Sequence, residues 1–223
     1  MKIKFIRPSQ ELEIVGSYTG LDIIKHIERA GRTCYKSEEK ITEDSASKFV
    51  KMIINSKHDS VLEHFSFSIR FICDRGVTHE MVRHRIASFS QESTRYVGYG
   101  DAIQFIIPNW CENIYPNDNV TKASIDNSMT SAEQGWAISM IDSATTYSKL
   151  LDLKWKPQQA RSVLPNSLKT EIVMTCNLRE WRHVFNLRGV SKAAHPQIRE
   201  VMIPALEHVK QFIPVVFDDL IVD

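Results

Sequence analysis

Ser66-Phe67-Ser68-Ile69-Arg70-Phe71-Ile72-Cys73 places Phe67, Ile69, Phe71 and Cys73 on one side of an extended chain. Side chains alternate across a strand, so this stretch reads as a strand with one face in a core and the other facing water. On the N-terminal side, Glu43 to Ser56 has helical spacing, with Ala46, Phe49, Val50, Ile53 and Ile54 inward. Asp22 to Arg32 does the same through Ile23, Ile24, Ile27 and Ala30. Lys2 to Ile6 and Glu11 to Val15 read as short strands. On the C-terminal side, Gly76 is expected to break the strand, and Thr78 to His84 to form a helix. Ser88 to Ile107 reads as an extended loop, and Trp110 to Thr130, rich in Asn and Asp, as a polar surface insertion. Thr130-x-x-Glu133 is a capping box. The helix after it carries Trp136, Met140, Ala144, Tyr147 and Leu151. Pro157 sits near the start of the next helix and Pro165 closes it. Lys169 to Cys176 is a strand, and Leu178 to Leu187 and Gln197 to Phe212 are the last helices. Strands and helices mix without repeated βαβ units or a Gly-rich nucleotide loop. The expectation is therefore α+β: a mixed or antiparallel sheet with several packed helices, one compact domain over residues 1–223.

Composition narrows the function. The chain has 223 residues, 43% of them hydrophobic, with 8 Gly and 8 Pro, which argues for a proper core and against disorder. Lys and Arg number 28 against 27 Asp and Glu, a balance that speaks against general nucleic-acid binding. The sequence shows no N-terminal apolar leader and no run near the ~18 apolar residues of a membrane span. Cys34, Cys73, Cys111 and Cys176 are widely spaced, without a Cys-x-x-Cys pair. That pattern suggests free thiols in a reducing cytoplasm and no thiol-ligated zinc. Cys73 and Cys176 sit in strands and read as core residues; no catalytic cysteine is expected.

The densest chemistry lies at Arg83-His84-Arg85, followed after seven residues by Ser93, then Arg95 and Tyr96. Guanidinium groups grip phosphates bidentately, and a Ser hydroxyl with backbone N–H groups can complete the shell. The same residues could form a solvated basic face. Taken together they suggest an enzyme holding phosphorylated ligands, as many as two. His79-Glu80-Met81-Val82-Arg83-His84 invites a zinc-protease reading, but its histidines are five residues apart rather than four, so they miss a common helix face and no metal site is expected.

Other segments carry both a plain and a chemical reading. His58-Asp59-Ser60-Val61-Leu62-Glu63-His64 lies between a helix and a strand, where a loop can aim side chains at a ligand or simply cap the strand. Arg161, late in a helix, could merely offset the dipole. Asn177-Leu178-Arg179 ends a strand and opens a helix, a place for phosphate binding or an ordinary N-cap. Arg179 and Arg188 are nine residues apart, about half a turn around one helix, and so serve different tasks.

Arg83, His84, Arg85 and Ser93 resemble the signature of the flavin-dependent thymidylate synthases, Arg-His-Arg, seven residues, then Ser. The resemblance extends through His58 to His64, Ala160-Arg161-Ser162-Val163-Leu164-Pro165, Asn177-Leu178-Arg179, Asn186-Leu187-Arg188 and His195-Pro196-Gln197. It implies reductive methylation of dUMP to dTMP in dTMP biosynthesis, with methylenetetrahydrofolate as carbon donor, FAD as hydride carrier and NADPH as reductant. It implies that His58, Ser60, Arg83, His84, Arg85, Gln91, Asn177, Leu178, Arg179 and His183 hold FAD. Glu80, Arg83, Gln91, Ser93, Thr94, Arg95, Arg161 and Arg188 would bind dUMP, Arg188 being the catalytic residue. It also implies a homotetramer with shared sites, and no nucleic-acid or membrane partner. Glu80 stands where many members have Gln, and Gln91 where many have Glu, which exchanges hydrogen-bond donors near the nucleotide. The alternatives are a flavoprotein reductase without methyl transfer, a non-catalytic nucleotide or RNA binder, and a structural tetramer that has lost activity.

Overall fold

The computed structural model describes residues 1–13, 17–99 and 102–222. Along the chain the elements are β1 (Lys2–Ile6), β2 (Ser9–Glu13), α1 (Gly20–Thr33), α2 (Ser45–Asn55), β3 (Ser66–Asp74), α3 (Arg75–Met81), β4 (Ser88–Gln91), β5 (Ala102–Ile106), α4 (Ser131–Asp152), α5 (Pro157–Ala160), β6 (Lys169–Asn177), α6 (Leu178–Phe185), α7 (Pro196–Phe212) and α8 (Pro214–Phe217). A π-helical turn, Asn186–Val190, follows α6. One sheet pairs β1 with β5; the other has the order β2-β3-β6-β4. The fold is α+β, as the mixed pattern of strands and helices suggests.

The chain forms two compact units. The first comprises Met1–Ser9, Phe71–Arg83 and Ser90–Ile172; the second comprises Gln10–Arg70, His84–Phe89 and Val173–Asp223. In the first, β1 and β5 run parallel in register from Lys2 opposite Ala102 to Ile6 opposite Ile106. Their inward residues meet α4, whose buried face is Ala137, Met140, Ile141, Ala144 and Tyr147. The Thr130 hydroxyl accepts from the Glu133 N–H at 3.3 Å, and Glu133 in return accepts from the Thr130 N–H at 2.8 Å. Glu133 also accepts from the backbone and side chain of Asn113, both at 2.9 Å. These donors hold its carboxyl down at about 2.

Three local expectations change in the first unit. Gly76 does not end β3; the strand runs on to Asp74, whose side chain accepts from the Val77 N–H at 2.7 Å and so starts α3 earlier than the spacing suggests. That helix stops at Met81, before the Arg-His-Arg triplet. The stretch from Ser88 to Ile107 is not one loop, because it contains β4 and β5. The Trp110–Thr130 segment is not wholly a surface excursion either: Cys111, Ile114 and Val120 are buried in the core, and the Arg7 guanidinium donates to the carbonyls of Pro108, Cys111 and Ile114 at 3.2–3.3 Å. The polar residues between these anchors face water, so composition conceals the tether.

In the second unit, β3 buries Phe67 and Ile69, and β6 buries Met174 and Cys176. Trp181 of α6 stacks on Phe67 at 5.2 Å and on Phe185 at 5.3 Å, and its indole N–H donates to the Phe67 carbonyl at 3.1 Å. Buried aromatic pairs of this kind add about 0.5–1.5 kcal/mol beyond area burial. Helix α1 begins at Gly20, where a Cβ would collide with the carbonyl of Phe212. Helix α1 packs Ile23, Ile24 and Ile27 inward as expected, with Gly31 rather than Ala30 fully buried. The expected strand Glu11 to Val15 is β2, shifted to Ser9–Glu13; Ile14 and Val15 lie outside the described residues.

Candidate functional site

The second unit holds a cluster built on α6 and the turn beyond it. Strand β6 runs directly into α6, and Asn177 caps the helix by accepting from the Glu180 N–H at 2.9 Å. Leu178, Trp181, Val184 and Phe185 point into the core, while Arg179 and His183 are exposed and Glu180 is buried. After Phe185 the hydrogen bonding widens to a π turn, and this turn carries Arg188. Arg179 and Arg188 are therefore not on one continuous α-helix, and the half-turn separation computed from α-helical spacing does not apply. Single π turns occur often at functional sites.

Arg188 Nε donates to His84 Nε2 at 3.1 Å. The ring nitrogen facing it must carry a lone pair, so the proton of a neutral His84 sits on Nδ1. That nitrogen lies 3.6 Å from Glu180 Oε1. The His183 ring approaches His84 edge-on at 5.9 Å. Burial, then the charges of Arg188 and His183, bring His84 down to about 4. A neutral ring makes the Glu180 contact a charge–dipole contact and not an ion pair. Burial raises Glu180 above the usual carboxylate range. His84, Glu180 and His183 place three potential ligand atoms within 4.8 Å of one another, the spacing a metal ion would use. The fixed positive charge of Arg188 against His84 opposes a cation there, and the cluster suits an oriented Arg188–His84–Glu180 array better.

A separate cleft in this unit, about 300 Å³, is lined by Cys34, Lys57, His58, Ser60 and Arg179 among others. His58, Ser60 and Arg179, singled out from sequence for the cofactor, thus share one concave surface, and Lys57 adds a cation. Arg179 donates to Glu63 at 2.6 Å, but both side chains are exposed, and such pairs contribute about 0–1 kcal/mol. Asn177 is committed to its cap. Leu178 is fully buried and its N–H donates to the Phe65 carbonyl at 3.0 Å. Arg85 is exposed. His195, from the closing segment, caps α7 through Nδ1, which accepts from the Gln197 N–H at 3.3 Å.

In the first unit, Arg161 donates to Thr94 Oγ1 at 2.9 Å. Both line a cleft of about 510 Å³ with Arg75, Gln158 and Ser162. Nη1 of Arg75 is buried without a hydrogen-bond partner. Arg75 therefore brings its positive charge to the cleft with one guanidinium nitrogen uncommitted to any other group. Ser93 Oγ accepts from the Arg95 N–H at 3.3 Å, and the Arg95 guanidinium bonds the Tyr96 hydroxyl at 3.0 Å while lying over its ring. Gln91 is occupied within the fold, donating to Thr78 at 3.0 Å and Thr170 at 3.3 Å. Glu80 is half-buried on α3 and Arg83 is exposed just past it.

Sequence reasoning missed Arg75, Lys57 and Glu180. Arg75 follows a strand with no basic neighbour, and Glu180 reads as an ordinary acidic residue in the first turn of a helix. Neither carries a local signal. For the cysteines, burial pushes the Cys73, Cys111 and Cys176 thiols up, which suits core residues and not nucleophiles.

Among the described residues, no helix is long and apolar enough to cross a membrane. The family model described as thymidylate synthase complementing protein matches residues 17–215. Flavin-dependent thymidylate synthases are similar to this chain: that of Mycobacterium avium (strain 104) is 36% identical over 196 residues, covering 86% of this chain and 78% of the relative. That of Geobacter sulfurreducens is 35% identical over 199 residues, covering 85% and 78%. The fold resembles the UMP/dUMP methylase PolB from Streptomyces cacaoi bound with 5-Br dUMP, at TM-score 0.74 and 22% identity over 98% of this chain and 96% of that one. It also resembles Thymidylate Synthase X from Helicobacter pylori with FAD and dUMP, at TM-score 0.74 and 18% identity over 96% and 98%. With the family model spanning nearly the whole chain and relatives above one-third identity over most of it, the chain belongs to the flavin-dependent thymidylate synthase family.

Proposed function

We propose that the chain methylates dUMP to dTMP, with FAD as hydride carrier, methylenetetrahydrofolate as carbon donor and NADPH as reductant. The carbon arrives at the methylene level and leaves as a methyl group, a two-electron reduction. Those electrons come from the nicotinamide, so the folate departs as tetrahydrofolate. When bound, the flavin supplies the hydride chemistry; the protein binds, orients and polarises.

The observation that carries the reading is the Arg75–Thr94–Arg161 cleft with its unpartnered buried guanidinium N–H, in a chain of this family. Arg161 and Arg75 can neutralise a phosphate monoester, and Arg83, Ser93 and Arg95 add donors. Glu80, Gln91 and Thr94 would set the surroundings of the nucleotide. Arg188 can stabilise negative charge that develops on the uracil ring. The donor-rich cleft of Lys57, His58, Ser60 and Arg179 fits the anionic part of FAD, and Arg83, His84, Arg85, Gln91, Asn177, Leu178 and His183 would complete its binding. The signature's Arg83, Arg85, Ile86, Arg95 and Tyr96 are all exposed in the single chain. That exposure supports a homotetramer with shared sites, testable by light scattering in solution; the balance of 28 Lys and Arg against 27 Asp and Glu speaks against a nucleic-acid partner, and the widely spaced cysteines fit a reducing cytoplasm.

The decisive experiment is a visible spectrum of the purified protein with added FAD, then anaerobic NADPH with and without dUMP, then assay of dTMP with methylenetetrahydrofolate. A flavin band that bleaches faster with dUMP, followed by dTMP, is expected. NADPH oxidation without dTMP would favour a reductase, and failure to take up FAD would remove the reading.

A further inference from the structure

We infer that Glu180 is a positioning residue for Arg188, acting through His84: it holds the imidazole with Nδ1–H toward its carboxylate and the Nε2 lone pair toward Arg188 Nε. The inference rests on the proposed role of Arg188. His84 is buried between two groups of opposite demand. Arg188 Nε–H, 3.1 Å from Nε2, needs an acceptor. Glu180 Oε1, 3.6 Å from Nδ1, needs a proton facing it. At 3.6 Å this is too long for a hydrogen bond, so it works through the carboxylate's potential in a poorly solvated site. The other tautomer would set N–H against N–H at Arg188 and a lone pair against the carboxylate. Both ends therefore favour one ring state, and that state aims Arg188. The π turn carries Arg188 off the α-helical path of α6, so its direction is not the one α-helical spacing would give, and the contact with His84 fixes it.

The charged and titratable groups around the pair are Arg188 on the π turn, His183 and Arg179 on α6, and the buried Cys176 thiol at the end of β6. His183 and Arg179 partly offset Glu180's charge. A bland role is available: an acid in the first turn of a helix favours the dipole. That role predicts lost stability alone.

The test compares Glu180→Leu, Glu180→Asp and Glu180→Gln in the FAD-loaded protein. Two readouts are taken: steady-state kinetics in dUMP, and the ¹⁵N shifts of His84 Nδ1 and Nε2, assigned by loss of signal in His84→Gln. For Leu we expect kcat down about 10–100-fold, the dUMP KM within about 3-fold of wild type, and His84 losing its single Nδ1–H tautomer. Asp, whose carboxylate is withdrawn by one methylene, should move both readouts the same way but less. Gln, which keeps the length of the side chain but not its charge, should fall between wild type and Leu in both readouts. A folded Leu protein with normal kcat, or with the His84 tautomer unchanged, overturns the inference. If Leu fails to fold, wild-type behaviour of Asp in either readout does so. If the wild type forms no dTMP, the function reading fails, and the tautomer measurement alone decides whether Glu180 orients His84.

Discussion

Two arginines with proposed roles at the nucleotide are held in opposite ways. Arg161, in the first unit, is exposed and donates to the hydroxyl of Thr94 in an open cleft. Arg188, in the second, is anchored through Nε to a buried imidazole with a buried carboxylate behind it. An exposed guanidinium on a hydroxyl can follow an arriving anion and neutralise it at little cost in prior order. A guanidinium fixed against a desolvated ring keeps one direction, at the expense of burying a histidine and a glutamate. The first arrangement suits binding; the second suits stabilising charge at one atom.

The contrast is broken most directly at Arg188. Arg188→Ala should lower kcat for dTMP formation about 10²–10³-fold, the range for losing a preorganised charge donor. Normal turnover would remove its electrostatic role. Arg161→Ala should act on binding instead, raising the dUMP KM about 10–100-fold for the loss of a charged hydrogen bond of about 1.5–3 kcal/mol, while kcat changes less. Calorimetric binding of deoxyuridine, which lacks the phosphate, should be unaffected; an equal loss for both ligands would mean that Arg161 does not read the phosphate.

The buried ring sharpens the comparison through pH. His84 titrates near 6.5 when unfolded and about 4 when folded, so between these values the unfolded chain binds the extra proton. Its contribution to stability is present above about 6.5 and is lost as pH falls toward 4, by roughly 2–3 kcal/mol. Glu180, raised by burial, has the opposite slope, so the difference between wild type and His84→Asn is the quantity to measure. Urea unfolding across that window should be steeper in pH for the wild type; parallel curves would show that the ring is not desolvated. The smallest effect is expected away from both arginines. Thr130→Ala removes the hydroxyl cap of α4 and should cost about 1 kcal/mol in urea with turnover unchanged.

Legibility followed the range of the interactions. Helix α4 was visible because its cap and apolar stripe are local. Strand β5 was not: Ala102–Ile106 is short, its partner β1 is at the start of the chain, and a parallel pair leaves no hairpin turn to read. The tether of the 110–130 segment has no local signal because Arg7, just past β1 at the start of the chain, supplies it. At the site, the triplet Arg83-His84-Arg85 reads in sequence as three cations or hydrogen-bond donors, yet the middle residue is buried and neutral while its neighbours face outward.

From residue types and spacing alone, the α+β class, the capping box of α4 and the half-buried β3 were determined, because periodicity and capping act within a few residues, and resemblance of the Arg83 to Ser93 stretch pointed to the family. Only the tertiary structure decided the protonation state of His84, the pairing of Arg161 with Thr94, the orphan donor of Arg75 and the place of Glu180 behind His84. Those depend on desolvation and on distances between segments as far apart as His84 and Arg188, and a linear sequence carries neither quantity.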